Sequence, residues 1–417
     1  MSVKPYVLFT SPKYDKEDKH LDLYYKTFPT VLARFAIKLE PDKFFPEPAI
    51  SKSRIKDSLK RQSELITSLS QIEPRLFVRL DYIKLEKRKD QGASSLDIFL
   101  LLEIQIEAED DKNLPRKKQN TLLVNEIYLT LVDLLGRFLP DYNIRPVISE
   151  QEYFGYYKPF DVKYVARIKR RQALLKVKDL KDITIVNKAS LRQVKSMTKG
   201  IGPLMLGNVG DEDYFYYIFP FISNNSTFEE AVSVLFSANQ NLIYEVSLFP
   251  RAFGSKAIHY ILSRIPWELG EGKKNMVHDQ NFYKSLERSE RYFRRLARQE
   301  KPSLDMTISV KSDRPLSKSL LTKMGQCITK QPDQNNQLAG GFDIFMIPSS
   351  YVNSHKDEIL DGNVFCSDET ESIFYRVSEL RDAFWPEEAS LAFRLPLLSL
   401  EFLERARKNG WKMTASS

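Results

Sequence analysis

The stretch from Leu96 to Ile106 constrains this chain more than any other. Every even position is apolar: Leu96, Ile98, Leu100, Leu102, Ile104 and Ile106. The odd positions are mostly polar, with Asp97, Glu103, Gln105 and Glu107 set outward and Phe99 and Leu101 as exceptions. A period of two predicts a long strand with one buried face. Burying that face gives on the order of 9–18 kcal/mol gross, before chain entropy removes most of it. The same grammar returns at Leu304, Met306, Ile308 and Val310, so the chain reads as two copies of one domain type.

Taken in order, residues 1–29 lead in, with a short strand at Tyr6 to Phe9. Val31, Ala33, Phe35, Ile37 and Leu39 share one face of a strand that Pro41 ends. A helix capped by Ser51 runs to Leu69, and a second strand covers Arg75 to Lys87. The Leu96 strand follows, then an apolar helix from Lys117 to Phe138, then a short strand from Asn143 to Ile148. Strand, helix, strand, strand, helix, strand is the split-βαβ or ferredoxin-like order, an antiparallel sheet with both helices on one face. Residues 151–212 change to an aromatic and basic connector. The pattern restarts at Tyr214 to Phe219. A helix opens with a capping box, Thr227 to Glu230. Strands follow at Leu242 to Leu248 and Leu304 to Val310, then a helix from Ser317 to Ile328 and a strand from Phe342 to Ile347. An insertion at 250–300 carries helices near Lys256 to Arg264 and Gln280 to Gln299. Residues 351–417 read as helical, near Glu371–Phe384, Glu387–Arg394 and Ser399–Lys408.

The fold expectation is therefore α+β: two tandem ferredoxin-like domains, 1–150 and 213–350, with a helical insertion and a helical C-terminal segment. A length of 417 residues agrees with two or three domains, and 42% apolar content excludes a mostly disordered chain. The net charge of +8 favours acidic partners weakly, because 55 carboxylates are also present. Cys327 and Cys366 cannot build a disulfide framework, which points to a reducing compartment. Cys327 falls on the stripe Leu320, Leu321, Met324, Ile328 and reads as a core residue. The first residues lack a signal-peptide h-region, and no window of about 20 apolar residues exists. A cytoplasmic protein without an integral membrane segment is expected.

Motifs for small-molecule chemistry are missing from the sequence. There is no G-x-x-x-x-G-K-[ST] loop, and Gly200-Ile201-Gly202 and Gly254-Ser255-Lys256 read as turns. His20, His259, His278 and His355 lack ligand spacing, so neither cofactor nor metal is expected. His278-Asp279 and the acidic runs 107–111 and 211–213 read as loop ends. The basic stretches say more. Lys163, Arg167, Lys169, Arg170 and Arg171 form one; Lys284, Arg288, Arg291, Arg294, Arg295 and Arg298 form another, with Tyr283, Tyr292 and Phe293 interleaved. Guanidinium forks suit phosphate and aromatic rings suit bases, so both sets are candidate contacts to DNA or RNA.

Trp385-Pro386-Glu387-Glu388 starts a short helix, where proline and negative charge are favoured, and Phe393-Arg394-Leu395-Pro396 closes it. This stretch resembles the junction in VirB4/TraC/HerA-like DNA-translocase ATPases that leads from a non-catalytic N-terminal region into the motor. In that family a P-loop domain follows; here only residues 397–417 follow Pro396. The resemblance therefore implies the N-terminal half of such a motor, serving a P-loop ATPase subunit encoded separately, in a conjugation, mobile-element or phage-defence system. On that reading the protein is a non-enzymatic adaptor, and oligomerises, if at all, through its ATPase. Residues 387–417 would dock through Phe393, Arg394, Leu395, Pro396, Leu398, Leu400, Phe402 and Leu403. A nucleic-acid-binding module like the tandem ferredoxin-like proteins of CRISPR effectors, using the 280–299 helix, is the alternative. A metal-dependent nuclease of unrecognised type is a third reading.

Overall fold

The computed structural model describes residues 4–10, 30–72, 76–86, 94–107, 114–178, 182–185, 212–251, 303–332, 340–361 and 379–413. The expected insertion helices, the 284–298 basic set and the histidines at 20, 259 and 278 lie outside these residues.

The fold is α+β, built on one antiparallel sheet that both halves of the chain enter. The first half supplies β1 (Leu8–Thr10), β2 (Thr30–Pro41), α1 (Lys52–Leu69), β3 (Leu76–Leu85), β4 (Ser94–Glu107), α2 (Leu114–Phe138) and β5 (Tyr142–Pro146). After α3 (Glu150–Tyr157) come β6 (Tyr164–Arg170), β7 (Gln172–Lys178), β8 (Asp182–Ile185) and β9 (Glu212–Ile218). Then follow α4 (Glu229–Ser237), β10 (Leu242–Arg251), β11 (Ser303–Ser312), α5 (Lys318–Ile328) and β12 (Phe342–Met346). The tail adds α6 (Ser349–Ser354), α7 (Lys356–Leu360), α8 (Glu379–Asp382), β13 (Ala383–Phe384), α9 (Pro386–Ala389), α10 (Leu400–Lys408) and β14 (Trp411–Met413).

The main sheet runs β1-β2-β4-β3-β10-β11-β6-β12, with β5 also on β2, β13 on β11 and β14 on β4. Its seam is the antiparallel pair β3–β10, which sets Leu80 opposite Val246 and Asp81 opposite Glu245. The halves therefore share one hydrogen-bonded ladder and one helix-side core, instead of the two separate sheets that the repeat suggests. The expected opening strand of the second half, Tyr214 to Phe219, is a strand, β9, but it pairs with β7 in a small sheet ordered β8-β7-β9. Its expected place, between β11 and β12, belongs to β6, inside the segment read as a connector. The basic residues of β6 disguise it: Val165, Ala166 and Ile168 alternate with Arg167, Lys169 and Arg170, yet all six are buried.

Period-two patterning assigns the faces as expected. Leu96, Ile98, Leu100, Leu102, Ile104 and Ile106 join Leu80, Tyr82, Tyr244, Val246, Ile308 and Val310 beneath α1, α2, α4 and α5. The opposite face is covered as well, by α3, α6 and α7, and that accounts for Phe99 and Leu101: both are buried in this second core with Ile83, Tyr153, Val165, Ile243 and Ile359. Caps form where serine leads: Ser51 accepts from the Arg54 amide and Ser317 from the Leu320 amide. The box at Thr227 does not form. Its hydroxyl accepts from the Glu229 amide, and α4 begins behind Phe228, whose φ is +66°. That left-handed bend lodges the Phe228 ring against Tyr82 and Tyr244. In the tail, 387–394 is helical only to Ala389, and the helix expected to reach Phe384 gives way at Ala383 to β13. The helix over 400–408 forms as expected.

Candidate functional site: a buried charge network and a C-terminal strap

The second face of the sheet carries charges that face each other across the seam. Asp81 on β3 faces Glu245 on β10, which faces Ser309 on β11; Lys311 stands two residues further along β11. Arg79, Asp81, Glu245 and Lys311 are all buried. Arg79 Nε donates to Asp81 Oδ2 at 3.0 Å and lies 3.5 Å from Glu245 Oε2. Ser309 Oγ donates to Glu245 Oε1 at 3.1 Å, and Lys311 Nζ to Glu245 Oε2 at 2.5 Å. The lid is the C-terminal end of α7. Arg79 donates to Leu360 O and Lys311 to Ile359 O, which places cations on the negative end of a helix. Asp361, just beyond, accepts from Arg34 Nη1 at 3.0 Å and from the Tyr157 hydroxyl, while Arg34 Nε donates to Glu103 at 2.5 Å.

These environments move proton affinities. Burial pushes Asp81 up to about 6, with Glu245 adding to the rise and Arg79 and Lys311 opposing it. Burial lowers Lys311 against the pull of Glu245. Burial also raises Glu103, against Arg34. Asp81 Oδ1, Ser247 Oγ and the Tyr153 hydroxyl make no hydrogen bond among the described residues. A carboxyl near 6 beside a lysine is the kind of pair that acid–base sites use. Here Arg79, Asp81, Glu245 and Lys311 are all buried, Arg79 lies over the Tyr157 ring of α3 and under the end of α7, and the Arg79–Glu245 pair at 3.5 Å links β3 to β10 across the seam.

The basic stretch at 163–171 turns inward. Arg167 pairs with Asp382 at 3.5 Å. Arg170 lies 3.4 Å from Glu388 and donates to Arg381 O at 2.8 Å, and Arg381 returns the bond to Arg170 O at 2.8 Å. Lys169 sits over the Phe345 ring, and half-buried Arg171 over Phe219. Lys163 is exposed. Of the five candidate phosphate contacts in this stretch, three are thus enclosed by their own protein, because β6 is an interior strand of the sheet.

The expected docking residues meet a similar fate. Residues 385–399 fill the space between the helices of the two halves. Phe393, Arg394, Leu395, Pro396, Leu398 and Phe402 are buried, Leu403 is half-buried, and Leu400 is exposed. The strap is held mainly by its backbone. Tyr142 donates to Pro396 O at 2.6 Å, Tyr244 to Ala392 O at 3.1 Å, and Tyr82 to Arg394 O. Gln62 bonds Leu395 twice, its oxygen accepting from the amide at 2.7 Å and its nitrogen donating to the carbonyl at 3.3 Å. Arg394 donates to Ser226 O, while its Nε and Nη1 find no acceptor among the described residues, and burial lowers its pKa to about 10. Burial pushes the Cys327 thiol up to about 12, in keeping with a core residue.

Sequence reasoning missed the seam network. Its signal was present, as charged or hydroxyl residues at alternate positions, Arg79 and Asp81 in β3, Glu245 and Ser247 in β10, and Ser309 and Lys311 in β11, but such a pattern reads equally as a solvated face. Among the described residues no group of three or more His, Cys, Asp or Glu side chains is placed to hold a metal ion, and no helix is long and apolar enough to cross a membrane. The chain matches no protein-family model and no curated protein.

Proposed function

We propose that this protein is a non-catalytic adaptor that presents a rigid α+β platform to a separately encoded VirB4/HerA-like DNA-translocating ATPase. Each half is read as a ferredoxin-like unit. In order of chain entry, β5-β2-β4-β3 and β12-β6-β11-β10 both have the order 4-1-3-2, and the two units abut through the second strand of each. The observation that carries the adaptor reading is the seating of the Trp385-to-Pro396 segment, the stretch that resembles the translocase junction. It is anchored to both halves and hands the chain on to α10 at the surface. On α10, Phe402 and Ala406 face inward, while Leu400, Glu401, Glu404, Arg405, Arg407 and Lys408 are exposed. That outward face, together with half-buried Leu403, is the docking surface on this reading, in place of the buried apolar residues.

The test is co-purification with a VirB4/HerA-like P-loop ATPase expressed together with this chain. Leu400→Asp with Arg407→Glu should abolish it while far-ultraviolet circular dichroism stays that of the parent. Undiminished capture by this variant sinks the proposed docking face.

A further inference from the structure

We propose that α6 and α7 form a pH-operated lid on the second face of the sheet, closed while Asp81 holds a proton and released when that proton leaves. The lid is latched at the end of α7. The last carbonyls of a helix have no partner inside it, and here the sheet supplies the donors: Lys311 to Ile359 O and Arg79 to Leu360 O. Asp361, just past the helix, takes Arg34 Nη1 at 3.0 Å and the Tyr157 hydroxyl. The buried apolar side chains of α6 and α7 are Val352, Ile359 and Leu360. At the other end, Lys356 meets Asp161 in an exposed pair at 3.1 Å, and the His355 ring stacks on Tyr351 at the joint between the two helices. The hold is therefore largely polar, and it follows the charge beneath it.

That charge does not balance. Under the latch stand three cations, Arg34 of β2, Arg79 of β3 and Lys311 of β11, against four carboxylates, Glu103 of β4, Asp81 of β3, Glu245 of β10 and Asp361 itself. The neighbouring cations are matched by acids of their own. Lys38 on β2 lies 2.9 Å from Asp97 and 3.6 Å from Glu40, and Arg167 on β6, in register with Ser309, pairs with Asp382 at 3.5 Å. From α3 come only the phenols Tyr153 and Tyr157, which burial keeps protonated. One carboxylate in the cluster is thus in excess, and Asp81 has the oxygen to take the proton, since its Oδ1 makes no hydrogen bond among the described residues. Burial and the nearby Glu245 lift it from 3.8 to about 6. Once the proton leaves, the new charge draws Arg79 and Lys311 toward the sheet and repels the carbonyl end of α7 and Asp361. Opening wets Asp81 and returns it toward 3.8, so closure is strongest at acid pH and weakens as pH rises through 6. This inference concerns the second face alone and stands apart from the α10 docking face.

Hydrogen exchange on the full chain tests this from pH 4 to 7, with rates corrected for the intrinsic rise with pH. The reporters are the Val352, His355, Ile359 and Asp361 amides, each bonded within residues 348–361, and the reference is β4 at the centre of the first half's sheet. Lid amides should exchange faster than those of β4 at every pH, because they open without the whole fold. Their protection should fall by about fiftyfold across the range, with its midpoint near 6, and Asp81→Asn should hold it at the parent's acid value throughout. Lid amides that exchange in step with β4 overturn the inference, as does protection independent of pH, or a fall that survives Asp81→Asn. The parent's profile decides by itself should the variant not fold.

Discussion

At the scale of single residues, the sheet's second face stores its energy in charges that burial has disturbed. Asp81 ordinarily titrates at 3.8, and in the fold it is raised to about 6. The folded state thus holds a proton that the unfolded chain releases, so stability from this group is full below pH 4 and is lost as pH rises through 6. The loss amounts to about 3 kcal/mol. Asp81→Asn fixes a neutral side chain there. Urea midpoints from pH 4 to 7 should shift in the variant's favour, relative to the parent, by about that amount; parallel curves would refute the assignment. Arg394 presents the opposite case, a buried cation with two unpaired nitrogens. Arg394→Met should be neutral or stabilising by up to about 3 kcal/mol, because a buried charge without full compensation costs more than an apolar isostere. Gln62→Ala leaves the Leu395 amide and carbonyl unpaired in the core, and thermal denaturation should show a loss of about 2–4 kcal/mol.

At the scale of elements, the tail decides more than its length suggests. β14 adds in parallel to the start of β4, Met413 beside Leu96, and its Trp411 ring stacks on Phe236 of α4 at 4.7 Å and 4°. Glu229 at the start of α4 accepts from the Ser399 amide and from Arg405 of α10 at 2.8 Å. The tail thus pins first-half strand, second-half helix and strap together. Trp411→Ala should cost about 1–3 kcal/mol through lost burial and stacking, read as a lower urea midpoint. Residual tail contacts should keep the fold intact at 25 °C.

At the scale of the whole molecule, the halves are expected to melt together. They share the ladder β3–β10, the charge network above it and the strap below it, so neither half keeps its core when the other opens. Circular dichroism at 222 nm and the tryptophan fluorescence of a Trp267→Phe variant, which then reports on Trp385 and Trp411 in the tail, should give one coincident transition in urea. Two separated transitions would mean that each half is an autonomous unit and that the seam is weak.

The alternation at Leu96–Ile106 and Leu304–Val310, the serine cap at Ser51, the helix beginning at Ser317 and the core position of Cys327 were legible in the sequence, because each depends on periodicity or on a partner within one helical turn. Four of the first half's strands, from β2 to β5, followed from the same pattern. The identity of the second half's leading strand was not legible, because the burial of Arg167, Lys169 and Arg170 depends on Asp382, Glu388 and the Phe345 ring, far away along the chain. That six of the eight expected docking residues are interior was not legible for the same reason: an apolar segment reads alike whether it covers a partner or its own core. Local pattern determined which residues form strands and which face is apolar. Tertiary structure alone decided that the two sheets merge, that charged strand faces are interior, and that residues 385–399 complete the core, since each of these is fixed by contacts between residues hundreds of positions apart.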